Sequence, residues 1–416
     1  MNRTLFFSRI YFLFIGIAIL SIPFTSFLYF LITPLLLIFW IIEGDWNNKW
    51  KRLNEDSTLL ITAAFVLFWF MNVVGLLYSN DLIKGLMRTI DKLPFLVYPL
   101  LFFTSDKSYF TKEKFHLLFR VFLYSTSLML IICWCNALTQ SILTGKTYHL
   151  YYIYFSNLFG HPSYCALKVS IAFCIAFCFF NSTKKWIYLS MMIFFGISIY
   201  FFQSRTGTFV FLLTLFLTLC YYLCTHKKNY PYIIGIFIIT ALFALALVKF
   251  FPGRMDSYIK GTYLKEKDKF DILESRSEIW TACFKIAIEN KFTGIGSGYD
   301  YIGYLDENEK ELFGENKLFL NAHNQYLQTF LDHGVFGLLI LFFLIIYSFY
   351  LAVKTKNYLL FMLLLALTIN IIFESMLERS NGIFTFCLFF ILFLPFNSIY
   401  ENNYGDKSQK TFPKHY

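Results

Sequence analysis

Two arginines and a histidine stand where a charge is costly or where a side chain can project from a membrane surface. Arg205, in FQSRTGTF, lies between two apolar blocks, and a charge left in hydrocarbon costs about 2.5–3.5 kcal/mol. It reads either as an arginine that snorkels to the interface or pairs with a loop carboxylate, or as an anion-binding residue. Arg276, in ESRSEIW, opens an amphipathic stretch; it either pairs with Glu274 or Glu278 or faces a ligand. His323, in LNAHNQYLQTF, stands where a hydrophilic segment meets a helix, and reads as a capping or hydrogen-bonded residue or as a general base. Arg379, in FESMLERSNG, has Glu374 and Glu378 beside it, so mutual salt bridging and function are equally open. His161, in FGHPSY, reads as an interfacial turn, and His333 with Gly334 as a helix break. The chemistry within reach of this set is specific: guanidinium groups bind phosphate oxygens in pairs without deprotonating, and a neutral imidazole can take the proton of a hydroxyl.

The elements that position these residues are membrane helices. Of 416 residues 57% are hydrophobic, 22% aromatic and only 15% charged, with a mean hydropathy of +0.57. A soluble domain carries about a quarter charged residues. Apolar blocks recur here, each long enough to cross about 30 Å of hydrocarbon. They predict an all-α polytopic integral membrane protein of about twelve transmembrane helices, near residues 5–22, 24–42, 59–78, 86–103, 114–140, 161–180, 186–203, 206–224, 231–251, 334–352, 357–374 and 381–399. The chain thus divides into helices one to nine (1–251), a large hydrophilic loop (252–333), helices ten to twelve (334–399) and a tail (400–416).

Lys and Arg of the short loops set the orientation, because basic residues stay on the cytoplasmic side. One face carries Arg3, Arg9, Lys49, Lys51, Arg52, Lys184, Lys185, Lys227 and Lys228 among others; the opposite short loops and helix ends hold Lys84, Arg88, Lys92, Lys146, Arg205 and Arg379. The large loop therefore faces away from the cytoplasm and both termini face it. The net charge of +10 is explained by this topology, and nucleic acid is not an expected partner. The first block runs into the second across Pro23 without a cleavage site, so the first helix is expected to stay as an anchor. Within the loop, ESRSEIWTACFKIAIENKF reads as an amphipathic helix with Ile279, Phe284, Ile286 and Ile288 among its apolar positions. TGIGSGYDYIGY is turn-rich, and NQYLQTFLDHG begins a second helix near Asn324 presenting Tyr326, Leu327, Phe330 and Leu331. GIGSG does not fit a phosphate-binding loop, so no nucleotide is expected. Cys133 and Cys135 lack partners at zinc-site spacing, so no metal site and no cofactor are expected.

Taken in order, SRTG at 204–207, SRSEIWTACFKIAIENKFTGIGSG at 275–298 and AHNQYLQTFLDHGVFGLL at 322–339 resemble the O-antigen ligase family of bacterial envelope glycosyltransferases. That family shares a superfamily with O-antigen polymerases and protein O-oligosaccharyltransferases. The resemblance implies an inner-membrane enzyme that transfers a glycan from undecaprenyl pyrophosphate to a lipid A-core hydroxyl on the periplasmic face. Arg205 and Arg276 match the family arginines implied to engage the donor pyrophosphate, and His323 the implied catalytic base, for one metal-independent inverting displacement. Lys84, Arg88 and Lys92 have helical spacing; Arg88 is carried as a further donor-site candidate, with interfacial anchoring or neutralisation of Asp81 and Asp91 as the other reading. Arg379, Asn324, Tyr299 and Gln325 are candidates for substrate contact. An O-antigen polymerase is the nearest alternative, followed by a protein O-oligosaccharyltransferase and a lipid-linked glycan transporter. A transporter would show repeats and ionisable residues at mid-membrane, and a hydrophobic groove beneath the loop should hold the polyprenyl tail.

Overall fold

The computed structural model describes residues 3–24, 27–55, 58–225, 272–298 and 322–394. The expected span at 231–251, most of the hydrophilic loop and the tail lie outside the described residues. Every regular element among the described residues is helical. In chain order these are α1 (Arg3–Ser21), α2 (Phe27–Glu43), α3 (Trp46–Glu55), α4 (Leu59–Gly75), α5 (Leu82–Asp91), α6 (Pro94–Thr104), α7 (Lys112–Thr144), the short α8 (Tyr152–Ser156), α9 (Pro162–Thr183), α10 (Trp186–Phe202), α11 (Arg205–Thr225), α12 (Ile272–Glu289), α13 (Gln325–Lys354), α14 (Tyr358–Phe373) and α15 (Ser380–Phe393).

Six of these elements are long and apolar enough to cross a membrane, seven if α2 and most of α3 count as one span bent by 108°. Three shorter apolar helices, α10, α14 and α15, accompany them. The chain is a membrane protein, and the described residues carry fewer full-length spans than the twelve expected. One difference is physical. The block expected as a single helix over 86–103 is two helices, because Asp91 and Lys92 are polar and Pro94 cannot continue the preceding ladder; Pro94 instead starts α6, where its missing N–H costs nothing. The first piece, α5, is amphipathic, with Leu82, Ile83, Leu86 and Met87 exposed and Gly85 and Thr89 buried. That is the pattern of a helix lying along a membrane surface. A second unexpected helix, α3, follows a turn in which Gly44 and Asp45 adopt left-handed conformations (φ +61° and +59°). Lys49 Nζ reaches back 2.8 Å to Glu43 Oε2, which also accepts from the Tyr11 hydroxyl at 3.0 Å.

Packing divides the chain into two compact units: Met1–Ile22, Ser26–Arg120 and Arg276–Tyr416 form one, and Pro23–Thr25 and Val121–Ser275 the other. In the first, α4, α6 and α15 meet through buried aromatic rings. Phe65 stacks on Phe386 with centroids 5.6 Å apart and touches Phe95 and Phe390. In the second, α9 is apolar on all sides and almost wholly buried, as a central helix must be; α10 and α11 pack against it.

Candidate functional site

The first unit's site is built on a bend. Gly334 has φ +63°, and a Cβ there would lie 2.3 Å from the Phe292 carbonyl oxygen, so only glycine fits. The bend, expected from the His333–Gly334 pair, joins the predicted loop helix and the following span into one element. It also frees backbone groups that a straight helix would pair. The segment after α12 takes them up: Val335 N–H donates to Lys291 O (2.8 Å), Ile295 N–H to Leu331 O (2.9 Å) and Gly296 N–H to Asp332 O (3.0 Å). On its other side the segment satisfies the end of α4. Ser297 donates through N–H to Gly75 O (3.2 Å) and through Oγ to Asn72 O (2.6 Å), while Gly298 N–H donates to Ser79 Oγ (2.8 Å). GIGSG is thus a joint between α4 and the bend of α13. Its glycines let backbone touch backbone: a Cβ on Gly298 would lie 1.9 Å from Asp81 O. Gly298→Ala is therefore expected to cost about 1–3 kcal/mol through overpacking, read as a lowered unfolding midpoint in detergent; an unchanged midpoint would show that the joint yields.

The amphipathic α12 docks beside this joint with two of its expected apolar positions, Ile279 and Ile286, turned inward. Ala282, Cys283, Ile286 and Ala287 are buried with Ile295, Ala322 and Leu331, and Ile279, Leu327 and Phe330 pack around them. Phe284 and Ile288 are exposed instead. Small side chains form the contact because they admit the neighbouring backbone closely, so Phe284 is turned aside. It lines a groove of about 700 Å³ with Trp280, Asn324, Tyr326, Phe330 and Phe342. Trp280 Nε1 donates to Ala322 O (2.9 Å), and Tyr326 stacks on Phe342 with centroids 5.3 Å apart, which holds the walls in place.

Around Asn324, which lines the groove, two turns are stitched together. His323 has φ +48°, a left-handed conformation uncommon for a residue with a Cβ. Its Nδ1 lies 3.3 Å from Glu374 Oε2. Asn324 caps α13, its side chain accepting from Leu327 N–H (3.0 Å), and its own N–H donates to Ser375 Oγ (3.2 Å). Gln325 Oε1 accepts from Leu377 N–H (2.7 Å), and Gln325 Nε2 donates to Glu378 Oε1 (3.0 Å). Gln325 is wholly buried, so its expected role in touching sugar is replaced by one in holding this turn. Glu374 and Glu378 were open as salt-bridge partners of Arg379; the structure gives Glu374 to His323 and Glu378 to Lys92 (2.8 Å), leaving Arg379 exposed.

The three cations spaced by four have three different fates. Lys84 pairs with Asp81 at the exposed start of α5 (3.1 Å). Arg88 is half-buried and donates to Ser297 O (3.3 Å). Lys92 is buried, bound to Glu378 and to Asn72 Oδ1 (2.9 Å), and that same oxygen lies 3.1 Å from His333 Nε2. Burial pushes the neighbouring Asp91 carboxyl above the usual carboxylate range, against the hydrogen bond from Ser380 Oγ (3.3 Å).

In the second unit, SRTG resolves into separate tasks. Ser204 Oγ accepts from Gly207 N–H (3.1 Å) and so caps α11, and it lies 3.1 Å from Ser163 Oγ on α9. Gly207 permits close packing, since a Cβ there would sit 2.5 Å from Ala166 Cβ. Arg205 is exposed in the first turn of α11, where free N–H groups add positive potential. His161, read as an interfacial turn, caps α9 by accepting from Ser163 N–H (3.3 Å). Arg276 lies in α12, in the first unit with His323, Asn324, Arg88 and Arg379; its side chain, like all of Tyr299, lies outside the described part.

Residues 189–342 match the model of the family described as O-antigen ligase. That stretch is similar to the O-antigen ligase family. This bears out the resemblance read from SRTG, SRSEIW and AHNQYLQTF, and members of the family are glycosyltransferase-like membrane enzymes. No curated protein matches the chain. The matched segment encloses Arg205, Arg276, His323 and Asn324, whereas Arg88, Lys92, Glu374, Glu378 and Arg379 lie beyond it.

Proposed function

We propose that this chain transfers a glycan from undecaprenyl pyrophosphate to a sugar hydroxyl of lipid A-core on the periplasmic face of the bacterial inner membrane, with both termini cytoplasmic. The observation that carries this reading is the family match, which encloses Arg205, Arg276 and His323 in one stretch. The acceptor oxygen bonds to the anomeric carbon as the bond from that carbon to the pyrophosphate oxygen breaks. The electron pair leaves on the diphosphate, the hydroxyl proton passes to His323, and one displacement inverts the anomeric centre. Arg205 and Arg276 hold the diphosphate and stabilise the charge that grows on it. Arg88 and Arg379 extend the cationic surface, and Asn324, its side-chain oxygen committed to the helix cap, offers its NH₂ to the glycan. The aromatic groove below Asn324 suits the isoprenoid tail.

The test is reconstitution in liposomes with a lipid-linked glycan donor and lipid A-core. Glycan appearing on lipid A-core supports ligation. Lengthened lipid-linked glycan without lipid A-core product identifies a polymerase, and no transfer to either acceptor sinks both. Arg205→Ala and Arg276→Ala are each expected to lower kcat/KM for the donor by about 10- to 100-fold, the size of a lost charge-assisted contact. Lysine should restore only part, lacking the two-pronged geometry. Initial rates across donor concentration check this; a fully active lysine variant would remove the bidentate role.

A further inference from the structure

The geometry assigns to Glu374 the positioning of His323, an inference that rests on the proposed base role of His323. Glu374 Oε2 lies 3.3 Å from His323 Nδ1, the carboxylate side chain 12% exposed and the imidazole 37% exposed. One partner is thus covered while the other keeps an open edge. Nothing local in the sequence joins them, since Glu374 ends α14 and His323 precedes α13.

The backbone that carries the carboxylate is held on both sides. Glu374 N–H donates to Asn370 O (2.9 Å) as the cap of α14, and Glu374 O accepts from Met376 N–H (2.9 Å). The turn that follows is tied to the histidine's turn in both directions: Ser375 Oγ accepts from Asn324 N–H, and Leu377 N–H donates to Gln325 Oε1. His323 itself is kept in a left-handed conformation between these ties, the kind of enforced geometry that accumulates at working sites.

A carboxylate only accepts, so the hydrogen bond places the proton of neutral His323 on Nδ1 and leaves the lone pair on Nε2. Nε2 is then the atom that receives the acceptor hydroxyl proton. The same carboxylate stabilises the imidazolium so formed, as in other carboxylate–histidine pairs. Glu374 touches neither substrate in this arrangement and acts through the ring it orients.

Glu374→Gln keeps the shape but removes the fixed acceptor and its charge. In the liposome assay kcat is expected to fall by about 100-fold, the lower end of what general-base catalysis contributes, with KM for the lipid-linked donor within about twofold. Glu374→Asp, which keeps the acceptor and its charge, is expected to recover at least about tenfold of that loss. A Glu374→Gln enzyme with wild-type kcat, one whose loss lies in KM alone, or equal losses in the two variants would overturn the assignment. Absence of transfer by the wild-type chain is a different result: it overturns the base role and the proposed reaction, not the pairing alone.

Discussion

His323→Ala is expected to slow glycan transfer by about 10²- to 10⁴-fold, the range that a positioned general base supplies, while leaving donor affinity within a few-fold of wild type. The reasoning is a division of labour. A diphosphate is a good leaving group that needs charge stabilisation rather than a proton, and the guanidinium groups assigned to it do not titrate. The remaining difficulty is the proton of a sugar hydroxyl, which is a poor nucleophile until that proton has somewhere to go. Among the described residues, His323 is the imidazole that combines an open edge and a carboxylate partner with a place next to Asn324, which lines the aromatic groove. His333, ten positions on, is buried, with Nε2 against Asn72, and serves the fold. Single-turnover rates with preformed donor complex, together with equilibrium donor binding, separate the two effects. A variant that transfers at the normal rate, or that fails only because it no longer binds donor, would end the base assignment.

Much of this was legible from residues alone, and the reason is period and solvent. Uninterrupted apolar blocks announce membrane helices whatever they pack against, so α1 and α10 begin and end within two residues of their expected limits and α9 within three. Arg205 could be singled out because it is a charge between apolar blocks, and His323 because it stands where the hydrophilic segment meets a helix. What stayed hidden depends on partners distant in the chain. The break between α5 and α6 is invisible to hydropathy, because Leu93 and Phe95 alternate with Lys92 and Pro94 and the average remains apolar. GIGSG reads as a turn, yet its purpose lies in carbonyls of α4 and α13 that no local pattern connects to it. On α12 the spacing places Ile279 and Ile286 correctly but not Phe284 and Ile288, because the tight contact accepts Ala282, Cys283 and Ala287 instead. For Glu374 and Glu378, sequence proximity favoured Arg379, whereas the folded chain supplies His323 and Lys92.

The pair formed by Lys92 and Glu378 carries the largest expected effect on stability. Their side chains are 3% and 7% exposed and their charged atoms 2.8 Å apart. Lys92 also reaches Asn72 on α4, and Glu378 also accepts from Gln325 on α13, so one ion pair fastens the α5–α6 break, α4, α13 and the turn that carries Glu374. Taking two charges from water costs several kcal/mol each, and their attraction offsets that cost only while both are present. Lys92→Met or Glu378→Leu alone should therefore destabilise the chain by about 3–5 kcal/mol, since each leaves an uncompensated buried charge. The double variant removes both charges and should be more stable than either single one, giving a coupling well above the ~0.5 kcal/mol within which independent sites add. Denaturant unfolding in detergent of the wild type, two single variants and the double variant provides the cycle. Additive losses would mean that the two charges are solvated separately and that the fastening of the four elements lies in packing.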